Sequence, residues 1–310
     1  MPCRAVPSAV LAALSRLRAL AGVSPLALVP LAVTLLLAAG TGLAAAAPEK
    51  CPRMVAGPKP VRLAALAPVA PGSARRDVSA LRLAQGPDGK AGGGAGEVRL
   101  TFLGHASFLI ESPAGVTIVT DYNDYVRAPL VPRVATMNHA HDTHFTEAAD
   151  PGIEFVLRGW NPQGGAAHHE LTLDDVWVRN VPTNTRNGSG TEYDGNSMFV
   201  FEVAGLCIAH LGHLHHLLTP DHLEALGRID VVLAPVDGSY TLDIEGMVET
   251  LKAINPPLVI PMHYFSAWGL DRFLSRLGKD WQVERSGTPT VMLSRPTLPK
   301  ERTLLVLPGR

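Results

Sequence analysis

The stretch "TMNHAHDTHF" (residues 136–145) puts His139, His141, Asp142 and His144 into six consecutive positions. Neutral imidazole is the commonest protein ligand for zinc and suits several other transition metals. Three more groups of histidine lie elsewhere. His105 follows "LTFLG", His213, His215 and His216 follow "LCIAHLG", and His263 ends "LVIPM". Each group falls at the end of an expected strand or in the loop after it, where scaffolds place ligands. Any one of them alone is as well explained by a packed or solvated histidine. Their joint spacing is not, and it points to a divalent transition metal, zinc first, with manganese, iron and nickel as alternatives. The ligand candidates are His139, His141, His144, His213 and His263. His105 stands at the site edge or is structural. His210 is packed in a strand, and His168, His169 and His222 are surface residues.

A bound divalent ion lowers the pKa of its water toward neutrality, to about 7 in favourable zinc sites. Hydroxide formed there would attack an ester, lactone, amide or phosphodiester. A group must then steer the water, and Asp142, Asp237 or a histidine would have to act as general base. His216 or Tyr264 could support the developing oxyanion. Asp121 would orient the histidine loop from behind.

The elements that carry these residues can be read in order. "VRLTFLGHASFLIESPAGVTIVTDYN" alternates apolar and polar residues around a turn at Ser112–Gly115, the pattern of antiparallel strands. "VWVRNVPT", "SMFVFEVAG" and "LCIAHLG" extend it, with a tight turn at Ala204–Gly205. Thr219 is an N-cap followed by Pro220, and Gly227 closes that helix. "VVLAPV" and "LVIPMHY" are short buried strands. "DIEGMVETLKAI" is a helix stopped by Asn255-Pro256-Pro257. "LDRFLSRLG" is a last helix, and "TVMLS" a last strand. The aromatics of "FSAWGLDRFL" could form an apolar lip, but a place in the core is the expected one. The fold class is mixed α/β of the α+β type, with sheets covered by helices.

The chain has 310 residues and a formal net charge of −1. That charge points away from nucleic acid and from acidic membranes as partners. A small-molecule or lipid-like substrate remains. Residues 1–47 have the form of a signal peptide, with Arg4, Arg16 and Arg18, then an uncharged apolar run, then small residues. Cleavage is expected near Ala46, and the protein is expected to be exported, periplasmic or secreted. An uncleaved membrane anchor is the alternative. Residues 48–96 are rich in Ala, Pro and Gly, the composition of a flexible linker, and residues 97–310 form one domain holding all 12 histidines. Cys51 and Cys207 would share an oxidising compartment. A bridge between them is possible, but Cys51 sits in the loose segment and Cys207 reads as a small apolar residue of a strand.

The motifs carry a resemblance. "LTFLGHASFLIE", "TIVTDYN", "NHAHDTH", "HLGHLHHLLT", "VLAPVDG" and "VIPMHY" resemble the successive motifs of the metallo-β-lactamase-fold hydrolases. The look is that of the branch with ascorbate-6-phosphate lactonase and the N-acyl-phosphatidylethanolamine phospholipases D. The resemblance spans residues 97 to about 294 and implies a four-layer αββα sandwich with metal at one sheet edge. It also implies departures. Thr143 stands where the family motif has a metal-binding aspartate, Asn184 where a histidine is expected, and His213 where an aspartate bridges two ions. Neutral imidazoles cannot offset two close cations, so one tightly held ion is expected, with Asp237 restoring negative charge. A metal- or ligand-binding member that has lost catalysis is the alternative to a hydrolase.

Overall fold

The computed structural model describes Cys51 and residues 96–309. Residues 1–50 and 52–95, where a signal peptide and a linker are expected, lie outside the described residues. Among the described residues no helix is long and apolar enough to cross a membrane.

Among the described residues fourteen strands and three α-helices follow in chain order. They are β1 (Val98–Gly104), β2 (Ser107–Glu111), β3 (Thr117–Val119), β4 (Val134–Met137), β5 (Phe155–Arg158), β6 (Glu170–Leu173), β7 (Val176–Asn187), β8 (Gly190–Val203) and β9 (Leu206–His210). Then come α1 (Pro220–Leu226), β10 (Val231–Pro235), α2 (Ile244–Ile254), β11 (Leu258–Met262), α3 (Ala267–Leu274), β12 (Gln282–Arg285), β13 (Thr290–Leu293) and β14 (Thr303–Val306). One sheet has the order β13-β1-β2-β3-β4-β5, and the second β12-β14-β11-β10-β9-β8-β7-β6.

Alternation along the strands builds two cores. Leu100, Phe108 and Ile110 of the first sheet meet Phe199, Phe201, Ile208, Leu233 and Ile260 of the second, all buried. The opposite face of the second sheet presents Val200, Ala209, Val232 and Val259 to the helices. There α2 buries Met247, Leu251 and Ile254, and α3 buries Leu270 and Phe273. Each such side chain contributes roughly 1.5–3 kcal/mol of burial. The outer face of the first sheet is covered differently. Leu103, Leu109 and Val119 pack under Tyr122, Val126 and Ala128 of a loop. The sandwich of two sheets is therefore present, with helices on the second sheet and, among the described residues, a loop on the first.

The end signals act as expected. The Thr219 side chain accepts from His222 N, and Gly227 closes α1 at φ 67°. Asp243 caps α2, and Asn255 ends it in the left-handed region at φ 53°. Ala204 and Gly205, both at positive φ, form the β8–β9 turn.

Two expectations need correction. Cys51 is not loose: it is buried and bridged to Cys207 of β9, and its backbone N–H donates to Glu202 Oε2. Burial and bridging do not conflict, because a half-cystine packs like a small apolar residue. The second concerns "FSAWGLDRFL". Phe273 is core, but Phe265 is 63% and Trp268 72% exposed. The helix starts only at Ala267 behind a Ser266 N-cap, which leaves Phe265 in the loop and Trp268 on the outer face.

Candidate metal centre

The site forms where two sets of strand ends meet. His105 occupies the β1–β2 turn, Asp121 follows β3, and residues 138–144 follow β4. Strands β9, β10 and β11 run parallel, so His213, Asp237 and His263 emerge together from their C-terminal ends. Three of these residues lie in the left-handed region that side chains other than glycine seldom adopt: His105 (φ 52°), Asp121 (φ 43°) and His263 (φ 54°). Such backbone costs on the order of 1 kcal/mol or more per residue and clusters at functional sites. Here His263 N donates to the His105 carbonyl at 2.7 Å, which locks two of the three to each other.

Side-chain amides hold the loops. Asn138 Nδ2 donates to Asp121 Oδ1 at 2.8 Å, and Asn138 Oδ1 accepts from Ser197 N. Asn196 Oδ1 accepts from His213 N at 2.7 Å. Gly212 passes between these amides at φ 61°. A Cβ there would lie 2.4 Å from Asn196 Oδ1 and 2.6 Å from Asn138 Nδ2.

The imidazoles converge. One nitrogen from each of His105, His141, His144 and His263 lies within 4.8 Å of the others. The His213 ring stands 5.0, 4.9 and 5.1 Å from those of His141, His144 and His263. Carboxylates orient two of the rings from behind. His144 Nδ1 bonds to Asp121 Oδ2, and His263 Nδ1 to Asp237 Oδ1 at 3.0 Å. An ionised carboxylate only accepts, so in both rings Nδ1 carries the proton and Nε2 presents a lone pair. The two Nε2 atoms face each other at 3.1 Å. Two nitrogen ligands on a tetrahedral zinc are roughly 3.3 Å apart, from bonds of 2.0–2.1 Å. His213 adds a second sign: it is buried, and neither ring nitrogen has a hydrogen-bond partner. An unsatisfied buried polar group costs roughly 1–3 kcal/mol, and a cation at the centre removes that cost. The residues fit a metal ion.

The electrostatics agree. Burial, then the neighbouring rings, holds His213 and His144 well below the usual imidazole range. His105 is pushed down to about 3 by burial, His263 and His141, and His141 is also lowered, chiefly by burial. All four are neutral at pH 7 and ready to ligate. Burial raises the Asp121 carboxyl to about 6. Burial would raise Asp237 too, but hydrogen bonds from His263 and Thr241 outweigh it and hold this carboxyl well below its usual range. Thr143 joins two rings: its hydroxyl is 2.7 Å from His141 Nδ1 and 2.8 Å from His105 Nε2.

The other candidates lie apart from this centre. The His139 ring stacks on Trp160 at 5.0 Å, and its Nδ1 bonds to Glu192. Asp142 is exposed and accepts from the Tyr125 hydroxyl at 2.7 Å, so it does not face the cluster as a base. Asp237 stands behind His263, and its two oxygens are taken by His263, Ser239, Tyr240 and Thr241. His216 accepts from Asn184 N and bonds to the Leu217 carbonyl. Tyr264 donates to the Leu307 carbonyl, so neither offers a donor to an oxyanion. His210 is structural, bonded to the Ala106 carbonyl. Sequence reasoning underrated His105. The signal for it was Gly104-His105 at a hairpin tip, which fixes the ring at the sheet edge.

Comparison with known proteins places this architecture. The profile of the Beta-lactamase superfamily domain matches residues 99–263, more than half of the chain. A UPF0173 metal-dependent hydrolase of Pelotomaculum thermopropionicum is 27% identical over 202 residues, covering 56% of this chain and 86% of that protein. A homologue of the same name from Salinibacter ruber is 28% identical over 191 residues, covering 53% and 84%. A crystal structure from Thermotoga maritima, described as a Zn-dependent hydrolase of the metallo-β-lactamase superfamily, superposes with a TM-score of 0.51 at 30% identity. That match covers 69% of this chain and all of the other. The chain belongs to the metallo-β-lactamase superfamily. Within it, the chain falls among the metal-dependent hydrolases.

Proposed function

We propose that the protein is an exported hydrolase that cleaves an ester, lactone or phosphodiester bond with one divalent transition ion, zinc first. The observation that carries this reading is the pair of Nε2 lone pairs facing at 3.1 Å, each fixed by a carboxylate on Nδ1. His105, His141, His144 and His263, whose nitrogens lie within 4.8 Å of one another, would hold the ion, with the unpartnered His213 beside them. When bound, the ion would supply Lewis acidity and a nucleophile at neutral pH.

Charge counting supports one ion. The rings are neutral, and the nearby negative charges are Asp121 and Asp237, which balance one divalent cation. A second would face its neighbour with little compensation. The chain's own residues set the rest. Asp121 and Asp237 hold the tautomers, the Thr143 hydroxyl positions His141 and His105, and exposed Phe265, 5.4 Å from His263 and 5.8 Å from His105, offers an apolar wall. The resemblance to the lactonase and phospholipase D branch puts lactones and phosphodiesters among the first substrates to test. The Cys51–Cys207 bridge supports export, because disulfides persist in oxidising compartments.

The test is metal content by elemental analysis of the purified oxidised protein, followed by turnover of 4-nitrophenyl esters, γ-lactones and bis(4-nitrophenyl) phosphate. About one equivalent is expected, lost in His141→Ala and His263→Ala and kept in His139→Ala. Metal without turnover of any of the three classes would favour the binding-only alternative. No metal after incubation with zinc and manganese would overturn the reading.

A further inference from the structure

A continuous rim runs from the aromatic wall to Arg186. Tyr240, 62% exposed, packs edge-on against Phe265 at 5.6 Å. The carbonyl of its neighbour Ser239 accepts from an Arg186 terminal nitrogen at 3.0 Å. Arg186 Nε donates to His215 Nε2 at 3.1 Å, and the His215 ring stands 5.3 Å from that of His213. The guanidinium is thus held at the edge of the histidine cluster by two bonds, neither to a carboxylate. Arg133, Arg158, Arg179 and Arg285 each bond to Asp or Glu. Among the described residues no acidic side chain pairs with Arg186.

This arrangement is a built receptor for an anion. Arginine has five N–H donors in a rigid fork suited to carboxylate and phosphate. Two are used for positioning, and the others are left. The partners that position it, a neutral imidazole and a backbone carbonyl, do not cancel its charge. No role in holding the two sheets together falls to Arg186, which lies exposed near the tip of the β7–β8 hairpin.

We propose that Arg186 receives a carboxylate or phosphate group of the substrate, while its apolar part lies along Tyr240 and Phe265. The preferred substrates are then anionic esters or phosphoesters, the charge lying one short arm from the scissile bond. This assignment rests on the hydrolase reading for its link to turnover, but the anion site can be tested apart from it.

Two measurements separate the two. In the first, metal-loaded oxidised protein hydrolyses mono-4-nitrophenyl glutarate and 4-nitrophenyl butyrate, which share a leaving group and differ by one carboxylate. A charge-assisted contact predicts at least about a tenfold preference in kcat/KM for the glutarate ester, expressed in KM. Arg186→Gln should bring the ratio near one, Arg186→Lys should restore part of it, and Arg285→Gln, at a remote ion pair, should leave it unchanged. In the second, glutarate and inorganic phosphate are titrated separately into metal-free protein by calorimetry. Binding that weakens at least tenfold in Arg186→Gln is expected, and the better ligand identifies the group as carboxylate or phosphate. Ester turnover with no charge preference, or a preference that survives Arg186→Gln, overturns the assignment and leaves the hydrolase standing. Arg186-dependent anion binding without turnover of either ester supports the anion site and counts against the hydrolase.

Discussion

His213 sets stability against function, and the two can be separated by one substitution. Its ring is 3% exposed, and both nitrogens lack partners. A neutral imidazole needs one donor and one acceptor met, and each unmet group costs roughly 1–3 kcal/mol. Leucine is close in volume and needs neither. In metal-free protein His213→Leu should therefore stabilise the domain, by about 2 kcal/mol after some loss to imperfect shape. For a domain of this size that is a rise of roughly 4–8 °C in Tm. Metal should reverse the order. An ion present at 100 times its dissociation constant adds about 2.7 kcal/mol to the wild type, while the variant has lost an imidazole of the centre and gains less. The assay is differential scanning calorimetry of both proteins, with chelator and then with zinc. Crossing of the two orders is the expected result. A variant less stable than wild type in chelator, with both responding equally to zinc, would refute the reasoning.

Gly212→Ala should cost about 3 kcal/mol or more and lower metal content, because its Cβ meets two buried amides at a positive φ; denaturant titration and elemental analysis check it, and a neutral result would refute the amide scaffold. Asp237→Asn replaces an oxygen that accepts from several N–H and O–H groups with a donor, so it should weaken metal binding about 10–100-fold, read by competition with a chelating dye. Metal-free protein should lose stability below pH 6.5. There the unfolded chain protonates at His144 and His213 while the folded one does not, each contributing about 1.4 kcal/mol per pH unit. Asp121, raised to about 6, takes up its proton earlier in the folded state and offsets one histidine between about pH 6 and 4. The net loss is at least about 1.4 kcal/mol per unit, and stability that is flat from pH 7 to 5 would refute it. Reduction of the 156-residue cross-link should destabilise the domain by up to about 5 kcal/mol, the chain-entropy ceiling; an unchanged midpoint under reductant would argue against the bridge.

Local signals carried much of the fold. The cap at Thr219, the helix stop at Asn255, the turn at Ala204–Gly205 and the buried runs around β10 and β11 are all short-range features, and they are where the sequence places them. Strands β5, β6, β12 and β14 were not legible. They are four residues each, and β6 and β12 lie at a sheet edge and are partly exposed; β5, β12 and β14 pair in parallel across intervening segments, while β6 pairs only with its neighbour β7. Within the site, residue type identified the histidines but not their directions. His139 and His141 sit in a loop that bends and turns between them, so they point to different sides: one meets Trp160 and Glu192, the other the cluster. Asp142 is likewise turned toward Tyr125. Cys51 was hidden because composition describes a segment on average, and a covalent bond to β9 is made by one residue.

The bridge also changes the topology of the molecule. Cys51 to Cys207 is a closed covalent ring, and residues 52–95 are an arc of it whatever path they take. A protease that cuts once within that arc opens the ring without releasing a fragment; the two pieces stay joined until reductant is added. If processing occurs near Ala46, the mature N-terminus begins within a few residues of the ring. The segment with linker composition would then tether nothing beyond it, being joined covalently to the domain at both ends.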